Sequence, residues 1–234
     1  GVYWVLFLLV VGVLEWNALS GAGRPLQKPL ATVNGTVHLG LALTLVLWSR
    51  FDSGSADFQF VERHAWIPAF GVEYLVGVDG ISLFLVVLTG FLTPLALLSS
   101  WASVHGRVRA FSMCVLALES AMVGVFLSLD LFLFYVCWDA MLVPMYFLIG
   151  VWGYDRRLSA AAKFMLYTLA GSVLMLVAIL VMMFEGYRIG GVPSFAYDAF
   201  LTYAPQMGAL APWLFLAFAL AFAIKVPMLP FHTW

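Results

Sequence analysis

The chain has 234 residues, of which 64% are hydrophobic and only 10% charged, and its mean hydropathy is +1.03. Such a composition excludes an ordinary soluble domain and leaves a polytopic all-α membrane protein as the class. A formal net charge of −1 gives no case for nucleic acid, and Cys114 and Cys137, each inside an apolar run without a Cys-x-x-Cys partner, read as buried free thiols.

Apolar stretches predict seven spans, at about Gly1–Leu14, Val33–Trp48, Val78–Ser100, Ala110–Leu129, Leu131–Trp152, Ala160–Phe184 and Gln206–Val226. The first opens on Gly1 already inside an apolar run, and the chain stops at Trp234 without a polar tail, so both ends are expected to be incomplete. Gly1–Leu14 lacks the basic leader and small-residue cleavage site of a signal peptide. A connector, "SGAGRPLQKPL", follows the first span, and a long polar loop over residues 49–77 follows the second. Two basic links, "ASVHGRVR" and "GYDRRLS", and a Gly/Pro/Tyr-rich segment at Glu185–Pro205 separate the later spans.

The basic residues predict the orientation. Arg24, Lys28, Arg107, Arg109, Arg156, Arg157 and Lys163 fall on one face, and Arg50, Arg63 and Arg188 on the other. The richer face is expected on the cytoplasmic side, with the amino terminus outside. Asp79 in "GVDGIS" and Asp130 in "FLSLDLFLFY" stand at span starts, where a carboxylate caps a helix by accepting backbone N–H groups. The competing reading of either is a water-facing proton acceptor.

Three charges lie inside apolar runs: Glu119, Asp139 and Lys225. Each costs about 2.5–3.5 kcal/mol at the centre of a membrane helix and needs a reason. Lys225 could simply snorkel to the headgroups. Yet "AFAIKVPMLPFHTW" stays apolar beyond it, and Pro227 and Pro230 deprive the carbonyls of Ala223 and Val226 of helical partners. A broken helix carrying a lysine resembles the ion-handling segment of a transporter. Pro144 likewise loosens the helix that holds Asp139. An acid and a base on two spans, each beside a proline, suggest a facing pair. At about 4 Å and an effective dielectric near 20, such a pair gains roughly 4 kcal/mol, comparable to the insertion cost of one member. Separating the partners would favour their neutral forms, so the pair could load and release a proton. A static pair that fixes helix packing is the alternative.

Glu119 reads equally as an uptake carboxylate, a subunit contact or a protonated packing residue. Lys163 reads as a snorkelling anchor or an uptake relay. His232, seven positions past Lys225, could receive a proton, since its ordinary pKa lies near 6.5. His38, His64 and His105 form no facing pair within spans for a haem, and no cysteine motif suits an iron–sulfur cluster. There is no dinucleotide fingerprint and no phosphate-binding loop.

"EYLVGVDGISL", "LDLFLFYVCWDAMLVPMYFLIGVWG", "KFMLYTLAGS" and "AFAIKVPMLPFHTW" occur in order between Phe60 and Trp234. They resemble the antiporter-like membrane subunits of proton-pumping NADH:quinone oxidoreductase, most closely the chain M type, the counterpart of mitochondrial chain 4. The resemblance implies the first half of a fourteen-helix fold with inverted five-helix repeats and a broken helix carrying Lys225. Residues 1–109 would hold three leading helices and residues 110–234 an incomplete first repeat. By motif, Asp139 stands where the family has an ion-pairing acid, usually glutamate. Lys225 is the broken-helix lysine, and His232 lies on the lateral hydrophilic path. Aspartate shortens the reach by about 1.5 Å, so the pair is expected to close through a water molecule.

The function implied by this resemblance is proton translocation coupled to quinone reduction elsewhere in a hetero-oligomeric complex. NADH, FMN, iron–sulfur clusters and quinone would lie on partner subunits, with no cofactor, metal or redox chemistry on this chain. The expected location is a bacterial plasma membrane. A subunit of a related Na⁺/H⁺ antiporter or membrane-bound hydrogenase, and a non-conducting scaffold, are the alternative readings.

Overall fold

The computed structural model describes residues 40–100 and 102–234. The span expected at Gly1–Leu14, the first part of the second span, Arg24, Lys28, His38 and the amino-terminal orientation all lie outside the described residues. The described chain is mostly helical, and five of its helices are long and apolar enough to cross a membrane. Its described residues divide into two compact units, residues 40–60 with 77–127, and residues 61–76 with 128–234.

In the first unit, helix α1 (described over Gly40–Ser49) and helix α2 (Gly80–Ser100) approach closely at Gly90. A Cβ on Gly90 would lie 3.0 Å from Thr44 Oγ1, so a larger residue there would push the helices apart. Asp79 caps α2 as expected: its Oδ1 accepts from Ser82 N at 2.7 Å, while Ser82 Oγ accepts from Asp79 N at 2.9 Å. Helix α3 (Val108–Leu127) packs against α2.

The second unit departs from expectation in the 49–77 loop, much of which is a strand pair, β1 (Gln59–Ile67) and β2 (Val72–Val78). The turn between them ends at Gly71, whose φ of 68° is left-handed. A Cβ there would sit 1.9 Å from the Pro193 carbonyl oxygen, so only glycine lets these two segments meet. β1 escapes a sequence reading because most of its side chains are exposed and it shows no clean apolar alternation.

The span expected at Leu131–Trp152 is present as one apolar stretch of 22 residues, interrupted at Met141 into helices α4 (Leu131–Ala140) and α5 (Leu142–Trp152). Pro144 explains the break, since it offers no N–H to the carbonyl of Ala140. Helix α6 (Arg157–Gly190) overruns its expected end at Phe184. Its 34 residues extend about 51 Å, well past a hydrocarbon layer of about 30 Å. The overrun is held by a Glu185–Arg188 ion pair at 2.9 Å and closed by Gly191 in the left-handed conformation. The rest of the Gly/Pro/Tyr-rich segment contains helix α7 (Tyr197–Tyr203). Helix α8 (Ala211–Lys225) ends on the lysine. α6 is the spine of this unit, packing against α4, α5, α7 and α8.

Asp130 organises the start of α4. Its Oδ1 accepts from Phe132 N at 2.9 Å and Leu133 N at 3.0 Å, and its Oδ2 accepts from Glu73 N of β2 at 3.0 Å. The neighbouring backbone extends the clamp: Leu129 N donates to Leu75 O, Leu131 N to Phe195 O and Tyr197 N to Leu129 O. Asp130 is fully buried, and burial pushes its carboxyl pKa up against the pull of the three N–H donors. The expected capping role holds, with a tertiary partner added.

Asp130→Ala would leave three buried donors without an acceptor, each worth about 1–3 kcal/mol. The apparent melting temperature in detergent should fall in the order wild type, Asp130→Asn, Asp130→Ala, because asparagine retains one acceptor oxygen. Gly71→Ala should destabilise the docking of the strand pair on residues 193–195, read as faster proteolytic cleavage within residues 59–78.

Candidate functional site

Asp139 lies nine residues beyond the Asp130 cap, which places it about 13 Å along the helix from that clamp. Trp138 and Asp139 fall in the last turn of α4, just before the break at Met141. The final four carbonyls of any helix lack intrahelical donors. One of them, the carbonyl of Trp138, accepts a hydrogen bond from Lys225 Nζ at 3.2 Å. The ammonium also lies 4.6 Å from the centroid of the Trp138 ring, a cation–π contact.

Lys225 is itself the last residue of α8. Two helix C-termini therefore converge on one ammonium, each carrying a partial negative charge of about half an electron. The Asp139 carboxylate acts on the same ammonium through space. Between these two described residues there is no direct ion pair, and Asp139 Oδ1 is buried without a hydrogen-bond partner. The structure thus brings the expected acid and base into one site, with the Trp138 carbonyl as the lysine's immediate acceptor.

Why α8 ends in this place is visible in its packing and its carbonyls. Gly171 on α6 admits Ile224, since a Cβ on Gly171 would lie 2.8 Å from Ile224 Cδ1. The Ala223 carbonyl, expected to be stranded by Pro227, accepts from Met228 N at 2.9 Å. The Ile224 carbonyl accepts from Trp234 Nε1 at 2.7 Å. The break is therefore satisfied largely by protein groups, which a backbone at membrane depth requires. Trp138 packs edge-on against Phe222 at 5.4 Å and tilts against Phe134 at 5.6 Å, giving the site aromatic walls.

The remaining expected residues divide between two places. Lys163 on α6 donates to the Thr233 carbonyl, which brings it beside His232; both side chains are exposed. Trp234 closes this corner by packing on Phe164, with ring centroids 5.0 Å apart. Glu119 belongs to the first unit, half-buried on α3, with Oε1 3.6 Å from where a Cβ would stand on Gly40. Among the described residues, no three His, Cys, Asp or Glu side chains are grouped closely enough to hold a metal ion.

Three residues of the Asp139–Lys225 site went unread in the sequence: Trp138, Tyr135 and Ser172. The Tyr135 phenol interacts with both the Asp139 carboxylate and the Ser172 hydroxyl. Tyr135 precedes Asp139 by four residues, a spacing that puts both on one helix face and could have flagged it. Ser172 on α6 and the Trp138 carbonyl carry no comparable local signal.

Two family models match the chain. The transmembrane model of NADH:quinone oxidoreductase and the Mrp antiporter matches residues 128–234, and the amino-terminal model of NADH-ubiquinone oxidoreductase chain 4 matches residues 55–125. NADH-quinone oxidoreductase subunit M of Rhodobacter capsulatus is 44% identical over 198 residues, covering 82% of this chain and 38% of the relative. The subunit of the same name from Escherichia coli K12 is 40% identical over 241 residues, covering 98% and 47% respectively. Respiratory complex I from Thermus thermophilus contains a chain that superposes with a TM-score of 0.80 at 30% identity. That match covers 100% of this chain and 45% of the other. The chain thus spans less than half the length of these relatives. By these matches, which run in order from residue 55 to the last residue, the chain belongs to the family of antiporter-like membrane subunits of NADH:quinone oxidoreductase, of the chain M type.

Proposed function

We propose that the chain is part of a proton-translocating membrane subunit of an NADH:quinone oxidoreductase. In this reading Asp139 and Lys225 form a switch whose separation decides which group holds the proton. The observation that carries it is the position of Lys225. Its ammonium sits at the converging ends of two interrupted helices, hydrogen-bonded to the residue next to Asp139. A lysine merely snorkelling to headgroups would have no use for a second helix end, an aromatic face and a nearby carboxylate.

In the mechanism, Lys225 is stabilised as a cation by the Trp138 carbonyl, the Trp138 ring and the charge of Asp139. Moving it towards Asp139 strengthens the charge pair and holds both groups ionised. Moving it away leaves the carboxylate without its cation in a poorly solvated place, which favours uptake of a proton by Asp139 and its loss by Lys225. His232 and Lys163, meeting around Thr233, would carry protons laterally from the broken helix, and Glu119 would serve uptake. Residues 110–234 would then be an incomplete first antiporter-like repeat behind three leading helices. The electron chemistry and its cofactors would belong to partner subunits of a bacterial inner-membrane complex, with the amino terminus of this chain outside.

A second reading is favoured by the description of the matching family model, which names the Mrp antiporter together with the oxidoreductase. The same switch could serve a cation/proton antiporter. Partner subunits purified with the chain decide between them: NADH- and quinone-handling subunits support the first reading, and antiporter subunits replace it with the second.

The switch makes two predictions. With NADH driving the complete complex in inverted membrane vesicles, Asp139→Asn should abolish acidification while Asp139→Glu retains it. The charge interaction at stake is roughly 4 kcal/mol, on the order of a thousandfold in an equilibrium. Undiminished acidification by Asp139→Asn would remove any titrating role for this carboxylate. Replacing Asp139 and Lys225 together with leucine should leave assembly intact yet still block translocation. A scaffold subunit would instead continue to support full pumping, so this double variant separates a moving pair from a static one.

A further inference from the structure

We propose that Trp234 is a positioning residue for Lys225: its indole N–H occupies the Ile224 carbonyl and so leaves the ammonium to the Trp138 carbonyl of α4. The inference rests on the ion-pair reading of the site and adds to it the group that sends the lysine across to the second helix.

A lysine at the end of a helix can turn back and donate to the last carbonyls of that helix. Lys225 is the last residue of α8, yet its Nζ donates at 3.2 Å to Trp138 O, 87 residues away in the chain. The carbonyls of its own helix end are already engaged. Phe222 O accepts from Val226 N at 2.8 Å, and Ala223 O from Met228 N at 2.9 Å. In an unbroken helix Pro227 would serve Ala223 O and Met228 N would serve Ile224 O. Pro227 has no N–H, so Met228 N answers Ala223 O instead. That shift strands the Ile224 carbonyl, next in sequence to the lysine, and Trp234 Nε1 takes it at 2.7 Å.

Helix α6 brings the indole to this place. The Trp234 ring packs edge-on against buried Phe164, with centroids 5.0 Å apart, and Lys163 donates to the Thr233 carbonyl. Two adjacent residues of α6 thus hold two adjacent residues beyond the break. An indole N–H donates and does not accept, so it satisfies the carbonyl without attracting the ammonium itself. Without that donor, Ile224 O would be a bare acceptor at membrane depth, where no bulk water can answer it. Lys225 could then fold back onto the end of α8. The ammonium would leave both the Trp138 carbonyl and the Trp138 ring, now 4.6 Å from it, and with them the helix that carries Asp139.

The test uses the complete complex, with Trp234 replaced at a suppressed stop codon by benzothienylalanine. This residue keeps the bicyclic shape and puts sulfur where the indole has N–H. Fluorotryptophan at the same codon keeps the N–H and is the conservative rescue. The readout is NADH-driven acidification of inverted vesicles, normalised to the amount of assembled complex. Benzothienylalanine should lower it about fivefold, the factor that corresponds to one neutral hydrogen bond, and fluorotryptophan should restore it. A ring that only packs on Phe164 would work equally well with sulfur in place of N–H.

Undiminished acidification with benzothienylalanine, or an equal loss with fluorotryptophan, would overturn the proposal. If the benzothienylalanine complex does not assemble, Trp234→Phe decides: a similar loss supports the indole donor and wild-type acidification removes it. Lys225→Leu is measured in parallel. Loss of acidification there beside normal behaviour of benzothienylalanine would discard Trp234 and keep the ion-pair reading. Full acidification in Lys225→Leu would discard both.

Discussion

The second unit depends on one buried carboxylate. Asp130 gathers N–H donors from two residues of α4 and one of β2, while the backbone on either side of it pairs with Leu75, Phe195 and Tyr197. A cap usually fixes only where its own helix begins. This one also joins three separate stretches of chain, so the rotation and depth of α4 are set by tertiary bonds. Every residue further along α4, including Tyr135, Trp138 and Asp139, inherits its direction from that clamp.

From there the chemistry follows from an unusual use of helix ends. Carbonyls at the end of a helix must find donors, and within hydrocarbon there is no bulk water to supply them. α4 stops at Ala140 ahead of Pro144, and α8 stops at Lys225 ahead of Pro227. Met228 N and the Trp234 indole satisfy two of the α8 carbonyls, and the Lys225 ammonium takes the Trp138 carbonyl of α4. The prolines create acceptors at membrane depth, and one of those acceptors is answered by a cation. A lysine placed there is stabilised by dipoles even before Asp139 is counted.

Small residues on α6 make this arrangement possible. Gly171 admits Ile224, and Ser172 beside it faces the Tyr135 phenol. Without a hydrophobic driving force between helices in lipid, close approach at small residues supplies much of their packing. The same short stretch of α6 therefore sets the distance to α8 and provides a polar partner for α4.

How far the sequence could be read depended on the range of each interaction. Asp79 and Asp130 were legible as caps because a cap is a bond to the next two or three residues. The α4–α5 break was legible in part, since Pro144 marks a lost donor within its own helix, although only the structure places the interruption at Met141. The strand pair was hidden by exposed side chains on β1, and the extension of α6 to Gly190 by a polar stretch that an ion pair and a left-handed glycine keep helical. Asp139 and Lys225 could be matched as the acid and base that apolar runs do not otherwise tolerate. Their acceptor could not, because a backbone carbonyl has no sequence identity.

By itself, then, the order of residues determined the membrane class, most of the spans, the caps and the cost of each buried charge, all of which are local or one-dimensional quantities. Only the tertiary structure decided that Lys225 would meet the Trp138 carbonyl and that Gly171 would admit Ile224. Those contacts depend on the relative rotation and depth of α4, α6 and α8. That geometry is set by packing between helices distant in sequence, and by the clamp at Asp130.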